Sequence, residues 1–461
     1  MKSVSLLSLA TLLFPVARGH TLFTTLYINN IKQGQGDGTC VRQSTDLEHA
    51  NSPIVDVLSN DMACGVGGTM SVNYTCAAPA GAKLTFEFRS SPNKAGNGFI
   101  DESHKGPVAV YAKHLSSVDA DATGSGWFKM WGEGYDMKAD KWATEKMIET
   151  NGLLSITIPT SFPAGNYLFR PEVVAMHNVT PEVEPQFYIG CAQVFLESSV
   201  TAPLDVPDEK SVSIPGYLNK NDPAMTYNIY RDEEYAHPKK PYPMMGPEPF
   251  VPAAAAKTAS GGKVVHQTEG GVPDSCLLVN GNWCGVEVAS YANNLTGCWD
   301  AVKDCWSQAD ACWAQQPPSG GRNCEVWGGK CKNLDAHCSA KDFTGPPAYK
   351  LKSNDFPPPG PIPEPVNANG LELAPSQGTT TADDGDDGDS RTTHLVIISS
   401  VPVTVTVVPT PSTSKSESTS LEPIPNFTPR PTAIVTVTAQ PSQTSKPHCG
   451  GRRRRRARSS S

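Results

Sequence analysis

The chain has little charge and, after its first residues, no long apolar segment. Only 18% of its 461 residues are Asp, Glu, Lys or Arg, and the formal net charge is −8 at pH 7. A chain of this charge has no general affinity for nucleic acid. Only 38% of the residues are hydrophobic, whereas Gly and Pro are abundant at 39 and 41 residues. This composition argues against a helical bundle and a membrane transporter, and it favours β structure joined by linkers.

The first 19 residues have the features of a secretory signal peptide. Lys2 precedes a mostly apolar stretch, residues 5–16, and Ala17 and Gly19 place small residues at positions −3 and −1 of a cleavage site after Gly19. The apolar stretch is shorter than the roughly 20 residues that span a membrane. We therefore expect a secreted, extracellular protein that begins at His20 and whose cysteines form disulfides.

A histidine at the mature N-terminus has distinctive metal chemistry. Its free α-amino group and its ring nitrogen can chelate one metal ion together. The pKa of an α-amino group is about 8, so a metal can displace its proton near neutrality. Nitrogen donors in a planar arrangement favour Cu(II). His20 is therefore a candidate copper ligand, provided that other ligands lie nearby.

Composition divides the mature chain into four parts. Residues 20–235 contain short apolar runs broken by Gly, Pro, Asn and Asp, which predicts an all-β, immunoglobulin/fibronectin-like β-sandwich. A Pro-, Ala- and Gly-rich linker is predicted for residues 236–274, and a small disulfide-rich helical module for residues 275–345. Residues 346–461 are rich in Ser, Thr and Pro and end in a run of Arg; they predict a disordered tail.

Three short motifs occur in order after the predicted signal peptide. The chain reads His-Thr-Leu from His20, Ser-His-Lys-Gly-Pro-Val around His104, and Ala-Met-His at residues 175–177, followed by Gln-Phe-Tyr-Ile-Gly-Cys at residues 186–191. Together they resemble the fungal lytic polysaccharide monooxygenases of auxiliary activity family nine. The resemblance covers His20 to about Tyr235, a little under half the chain.

The resemblance implies one copper ion per chain, held by a histidine brace. His20 would bind through its amino and ring nitrogens, His104 through its ring, and Tyr188 would lie at the axial position. His177 and Gln186 would hydrogen-bond the oxygen species and take part in catalysis. Three nitrogen ligands leave a position open, as a catalytic metal site requires.

Two positions call for separate interpretation. Tyr217, in an Ile-Pro-Gly-Tyr loop, resembles the family's tyrosine on a planar substrate-binding face; a tyrosine that packs its own loop is the alternative. Pro171 follows Arg170 where many family members carry another residue. Because Pro lacks a backbone donor, it predicts a strand edge or a strand start at that point.

The cysteines predict disulfides in both folded parts. The four in the sandwich allow three pairings, and the resemblance implies Cys64 with Cys191, which leaves Cys40 with Cys76. Eight more lie between Cys276 and Cys338 and suggest four bridges in any of 105 pairings. Four Asn-x-Thr sequons are candidate N-glycosylation sites: Asn73, Asn178, Asn294 and Asn426.

Within the predicted module, cysteine and tryptophan recur together every seven residues. Cys298, Cys305 and Cys312 form one helical stripe. Trp299, Trp306 and Trp313 form an adjacent one. A stapled helix that buries its aromatic residues is the favoured interpretation, and a sugar-binding platform is the alternative.

The sequence therefore predicts a secreted copper monooxygenase that cleaves β-1,4-glucan, most of all cellulose, at C1, C4 or both. By resemblance it would use O₂ or H₂O₂ and an electron donor, either a small reductant or a cellobiose dehydrogenase. We expect a monomer with neither nucleic acid nor membrane among its partners. The alternatives are a non-catalytic copper- or carbohydrate-binding protein on the same fold, and a cell-wall structural protein.

Overall fold

The computed structural model describes residues 20–35, 37–42, 44, 46–91, 93, 98–180, 182–230, 240–252 and 262–367. The predicted signal peptide, most of the predicted tail and the sequon at Asn426 lie outside the described residues. The helices are α1 (Ala143–Glu149), α2 (Leu295–Ala314) and α3 (Arg322–Ser339). The strands are β1 (Leu22–Ile28), β2 (Ile31–Lys32), β3 (Val41–Arg42), β4 (Cys76–Pro79), β5 (Lys83–Arg89), β6 (Val108–Leu115), β7 (Gly124–Glu133), β8 (Tyr135–Asp136), β9 (Lys141–Trp142), β10 (Leu153–Thr157), β11 (Gly165–Ala175), β12 (Gln186–Ile189), β13 (Cys191–Glu197), β14 (Ser211–Ile214), β15 (Leu278–Asn280) and β16 (Trp283–Gly285).

Two sheets form the predicted β-sandwich, which the structure confirms. The smaller sheet has the order β10-β5-β1-β2, and the larger has the order β14-β7-β6-β11-β13-β3. Strand β12 pairs with β11, and β4 lies parallel to β13 at the same sheet. Nearly all neighbouring strands are antiparallel. A short turn joins β1 to β2, whereas neighbours such as β1 and β5, or β6 and β11, are far apart in the sequence.

The larger sheet is buried on both faces. Its inner face packs against Phe23, Phe86 and Phe88 of the smaller sheet. Its outer face is covered by a second apolar cluster that includes Trp142 and Tyr242. Strand β6 is consequently buried at seven of its eight residues rather than at alternate ones, because both of its faces exclude water.

Pro171 lies inside a central strand, so the prediction of a strand edge or start is wrong. Strand β11 pairs along one side with β6, with Pro171 opposite Val110. Along its other side it pairs first with β13, up to Phe169, and then with β12, from Glu172. Pro171 falls in the gap between these two partners, where the strand needs no backbone N–H donor.

All twelve cysteines of the described residues form disulfides. Cys40 bonds Cys76 and Cys64 bonds Cys191, which is the pairing that the resemblance implies. The module contains the four bridges expected of its eight cysteines. They join Cys276 to Cys284, Cys298 to Cys338, Cys305 to Cys331, and Cys312 to Cys324.

The aromatic residues of the module divide into a buried and an exposed set. Trp283 and Trp327 are buried and meet edge to face, with ring centroids 5.5 Å apart. On α2, by contrast, Trp299 and Trp313 are each 41% exposed, and Trp306 is only partly buried. The favoured prediction that the α2 stripe is buried is therefore wrong for two of its three rings.

Much of the predicted linker, residues 236–274, packs against the sandwich. Tyr242 and Met245 are buried in the outer apolar cluster. Farther along, Val265 forms a β-bridge with Ser198, and the Gln267 side chain donates to the Thr75 carbonyl at 2.8 Å. Composition indicated a linker because Pro and Gly dominate. The apolar side chains between them nevertheless pack on the outer face of the large sheet, where they are removed from water.

The module itself is docked on the sandwich. Thr39 donates to the Gly281 carbonyl at 2.9 Å, and the Asn282 side chain donates to the Gly38 carbonyl at 2.9 Å. Val279 is buried within the core cluster between the two sheets. The cysteine-rich segment thus completes the sandwich core at this end.

The first part of the predicted tail, residues 346–367, also has defined contacts. The Phe356 ring lies under the guanidinium of Arg89, 5.0 Å from its centroid, and under that of Arg322 at 3.3 Å. The Val366 N–H donates to the Ser155 carbonyl at 2.9 Å. Strand β10 is an edge strand, and an extended Pro-rich segment satisfies part of its open backbone.

In the described residues no helix is long and apolar enough to cross a membrane.

Candidate metal centre

Two residues of β12 and one that follows β11 converge at one end of the large sheet. Gln186 and Tyr188 are two residues apart on β12, so their side chains lie on the same face. Ala175, the last residue of β11, pairs with Gln186. His177 follows two residues later and therefore lies beside this pair.

A tight loop before β6 brings His104 to the same place. The Met176 N–H donates to the Lys105 carbonyl at 2.9 Å, and the Val174 N–H donates to the Pro107 carbonyl at 3.0 Å. A Cβ atom at Gly106 would lie only 2.1 Å from the Val174 carbonyl oxygen. Glycine is therefore required here, because the loop backbone approaches β11 more closely than any side chain permits.

The three histidines and the tyrosine form one cluster. The His104 and His177 rings are packed, with centroids 3.9 Å apart and planes tilted by 36°. The Tyr188 ring lies 6.4 Å from His104 and 6.1 Å from His20. His104 is only 6% exposed and Tyr188 only 2%. His20 precedes β1, whose Leu22 pairs with Arg89 of β5 and so fixes where His20 lies.

Burial lowers the pKa of each histidine in the cluster and so favours the neutral ring. It lowers the pKa of His104 to about 4, and positive charge on His177 and His20 acts in the same direction against the opposing carboxylate of Asp101. Burial also lowers the pKa of His20 and His177. The neutral imidazole is the form that binds a metal ion.

Tyr188 and Gln186 are joined by a hydrogen bond. The Tyr188 hydroxyl donates to Gln186 Oε1 at 2.9 Å. Burial raises the pKa of Tyr188 well above its usual value, so the phenol keeps its proton. Because the Gln186 carbonyl accepts from Tyr188, the amide nitrogen is the end of Gln186 that remains as a donor toward the cluster.

The donor set fits copper as a brace and does not fit a conventional three-side-chain site. Among the described residues, no three His, Cys, Asp or Glu side chains lie close enough to hold a metal ion. A brace needs only the rings of His20 and His104 together with an amino group. His177 Nδ1 is buried without a hydrogen-bond partner in the described structure, so one polar atom beside these rings is left to interact with a bound group. Nitrogen donors of this kind suit copper.

Comparison with known proteins agrees with this arrangement. The family model Auxiliary Activity family 9 (formerly GH61) matches residues 20–240. AA9 family lytic polysaccharide monooxygenase H of Botryotinia fuckeliana is 45% identical over 342 residues, which are 72% of this chain and 76% of that protein. Monooxygenase C of Aspergillus tamarii is 41% identical over 347 residues, 74% of this chain and 90% of that protein. Monooxygenase A of Emericella nidulans is 40% identical over 346 residues, 74% of this chain and 58% of that protein.

The chain belongs to auxiliary activity family 9, the lytic polysaccharide monooxygenases. It is an oxidoreductase of the monooxygenase class. The matched regions of the three relatives are longer than the segment that the family model covers, so the likeness extends beyond the sandwich of this oxygenase.

Tyr217 of the oxygenase is partly buried, and its side chain packs against residues of the large sheet. Its hydroxyl donates to Glu172, and Arg170 lies 5.7 Å over its ring. The ring meets Tyr111 edge to face at 5.6 Å. This geometry is that of the alternative interpretation, a tyrosine that packs its own loop.

Sequence reasoning missed two groups, one beside Tyr217 and one beside His104. Arg170 and Glu172 form a fully buried ion pair at 2.7 Å on β11, which holds the Tyr217 loop. The Ser103 hydroxyl donates to Asp101 Oδ1 at 2.6 Å and lies 3.1 Å from His104 Nδ1. Ser103 stands directly before His104 in the motif, so its proximity was a signal for the second group. The ion pair itself is local, but its burial had no local signal, because Met62 and Tyr217 contact it from distant parts of the chain.

The sequons of the oxygenase occupy different environments. Asn178 is exposed next to His177. The Asn73 side chain donates to the Asn282 carbonyl at 2.9 Å, at the junction with the module. Asn294 caps α2 by accepting from the Gly297 N–H at 3.1 Å. Occupancy of all four sequons stays a prediction.

Proposed function

We propose that the mature oxygenase binds one copper ion, which His20, His104 and Tyr188 would hold, and oxidatively cleaves β-1,4-glucan such as cellulose at C1, C4 or both. The observation that carries this proposal is the convergence of His20, His104, His177, Gln186 and Tyr188 at one end of the sandwich in a chain of this family. Copper, when bound, supplies one-electron redox chemistry that activates O₂ or H₂O₂.

The residues around the brace have separate tasks. Tyr188 remains a neutral phenol because its proton is held on Gln186 and its burial opposes ionisation. Gln186, fixed by that bond, would keep its amide nitrogen as a hydrogen-bond donor. His177 packs on His104 and holds or transfers a proton at its unpartnered Nδ1. Such fixed donors stabilise negative charge without reorganising during the reaction.

Maturation is part of the proposal. Cleavage after Gly19 would convert the His20 amide nitrogen into a free amine and so complete the donor set. The protein would then act outside the cell, as a monomer, with electrons from a small reductant or a cellobiose dehydrogenase. Neither nucleic acid nor a membrane is proposed as a partner, given the formal net charge of −8.

The test uses natively processed protein shown by mass spectrometry to begin at His20. Copper-loaded protein is incubated with ascorbate and phosphoric-acid-swollen cellulose, and the soluble products are analysed. We expect aldonic or 4-keto cello-oligosaccharides, which also identify the carbon attacked. His104→Ala should abolish them, because it removes a ring ligand, while Glu102→Gln on the same exposed loop should not. Copper binding without oxidised sugar from any glucan tested would contradict the proposed substrate.

A further inference from the structure

One face of α2 presents a straight row of apolar and polar side chains to solvent. Leu295 is 54% exposed, Trp299 and Trp313 are each 41% exposed, and Trp306 is partly buried against the α2/α3 core. The three tryptophans recur every seven residues, about two helical turns, and Leu295 lies one turn before Trp299, so the four side chains align along the helix. In the described part of the chain, the cysteine-bearing side of α2 contacts α3, and this row does not close the core.

The row is held rigidly. Each tryptophan follows a cysteine that bonds α3: Cys298 to Cys338, Cys305 to Cys331 and Cys312 to Cys324. The Trp313 ring also rests on Gly321, where a Cβ atom would lie 2.6 Å from its Cζ3 atom. Surfaces ordered in advance lose little conformational entropy when a ligand binds.

The spacing of the row suits an extended sugar polymer. Seven helical residues advance about 10.5 Å, which is the separation of successive tryptophans along α2. In an extended β-1,4-glucan each glucose is flipped relative to the next, so the same ring face recurs after two units, a repeat of closely similar length. Lys303 and Asp310, both exposed, follow Trp299 and Trp306 by four residues and so alternate with the rings. They can hydrogen-bond hydroxyl groups of the intervening units.

The charge of the row favours an uncharged ligand. Lys303 and Asp310 offset each other, whereas the neighbouring exposed residues Asp300 and Asp304 are acidic. This arrangement disfavours polyanions, and it disfavours the anionic surface of a membrane, which attracts clusters of basic residues. A neutral glucan presents C–H faces to the rings and hydroxyl groups to the polar side chains.

We propose that the Leu295–Trp313 face of α2, which we call the tryptophan face, is a second glucan-binding site that anchors the oxygenase on its polymer. The occupant is a single extended β-1,4-glucan chain at the surface of cellulose. This inference rests on the proposed glucan substrate, but it concerns binding alone and requires neither copper nor turnover.

The test is a depletion isotherm of the full-length protein on microcrystalline cellulose, with EDTA present and without reductant. The chelator and the missing reductant separate binding from oxidation, so loss of enzymatic activity leaves this result interpretable. Trp299→Ala and Trp313→Ala, both partly exposed and so compatible with folding, should each weaken binding about three- to tenfold. The double variant should lose more than either. Asp300→Asn, on the same helix but off the row, is the matched control.

Three outcomes would overturn the proposal. The first is an unchanged cellulose isotherm for a double variant that keeps its near-ultraviolet circular dichroism. The second is equal, ring-dependent binding to amylose, whose coiled α-1,4 chains lack the extended repeat. The third is ring-dependent binding to vesicles of phosphatidylserine and phosphatidylcholine instead of cellulose. The measurements are repeated after enzymatic removal of N-glycans, since a glycan on Asn294 would lie at one end of the row.

Discussion

At the scale of single residues, the side chains that orient His104 are as informative as its ring. Its Nδ1 faces the Ser103 hydroxyl, which in turn donates to Asp101. For Nε2 to bind a metal, Nδ1 must carry the ring proton and donate it to an acceptor. Ser103 is placed to be that acceptor, so it is a positioning residue for the proposed brace.

Replacing Ser103 with alanine should weaken copper binding while leaving the fold intact. Support of this kind is worth about 10- to 100-fold in metal affinity, and we expect the lower end because His104 also packs on His177. Isothermal titration calorimetry of protein processed to His20 measures the change, with Glu102→Gln as the control on the same loop. Equal affinity for Ser103→Ala and the parent protein would show that packing alone orients the ring.

At the scale of elements, the site depends on how closely the loop of residues 103–107 approaches β11. Gly106 permits that approach, since a Cβ atom would collide with the Val174 carbonyl. The two backbone hydrogen bonds from Val174 and Met176 then hold the loop in place. The loop of residues 103–107 therefore aligns His104, a proposed copper ligand, with the site residues on the neighbouring segments.

Gly106→Ala should displace this loop. We expect the free energy of unfolding to fall by about 1–3 kcal/mol, because the strand must release the loop or accept a severe contact. Copper affinity should fall as well, since His104 moves with the loop. Chemical denaturation and calorimetry measure the two effects. Gly328→Ala is the matched control: it lies in α3, where an added Cβ has nothing within 4 Å. A normal unfolding free energy for Gly106→Ala would contradict the argument.

At the scale of the whole molecule, the cysteine-rich module is structurally part of the sandwich. Val279 is buried in the inter-sheet core, and the Asn282 side chain donates a hydrogen bond to the Gly38 carbonyl. Beneath the junction, Arg89 pairs with Asp37 at 2.7 Å and with Glu87 at 2.5 Å. Burial opposes ionisation of Asp37, but Arg89 and Lys32 outweigh it and lower its pKa. A module that covers such a network protects its ion pairs from water.

Deleting residues 262–461 should therefore lower the unfolding midpoint by about 5 °C or more, because it uncovers core side chains and the ion-pair network. Oxidation of a soluble glucan per folded molecule should persist, since none of the module contacts described above involves the copper-site residues. Differential scanning calorimetry and product analysis measure the two quantities. Deletion of residues 368–461 leaves all of these contacts in place and is the control. Identical midpoints for both deletions would refute the structural role of the module.

Much of the architecture and the makeup of the candidate site could be predicted from sequence. Short runs separated by turn residues indicated the sandwich, and the ordered motifs at residues 20, 104, 177, 186 and 188 indicated one site. Fold and motif are recognisable in this way because turn chemistry and residue order are local properties of the chain. The buried pair Arg170–Glu172 has no such local signature, because its environment is made by loops that are distant in sequence.

What the sequence alone determined is thus the class of fold, the disulfide-rich module and the residues that the structure brings together in the candidate site. Tertiary structure alone decided that Pro171 fits between two partner strands, that Tyr217 packs inward and that Trp299 and Trp313 face solvent. It also decided that residues around Tyr242 and Phe356 pack on the sandwich. The physical reason is common to all of these cases. Local patterns report which side chains avoid water, but which surface covers them depends on segments far away in the chain.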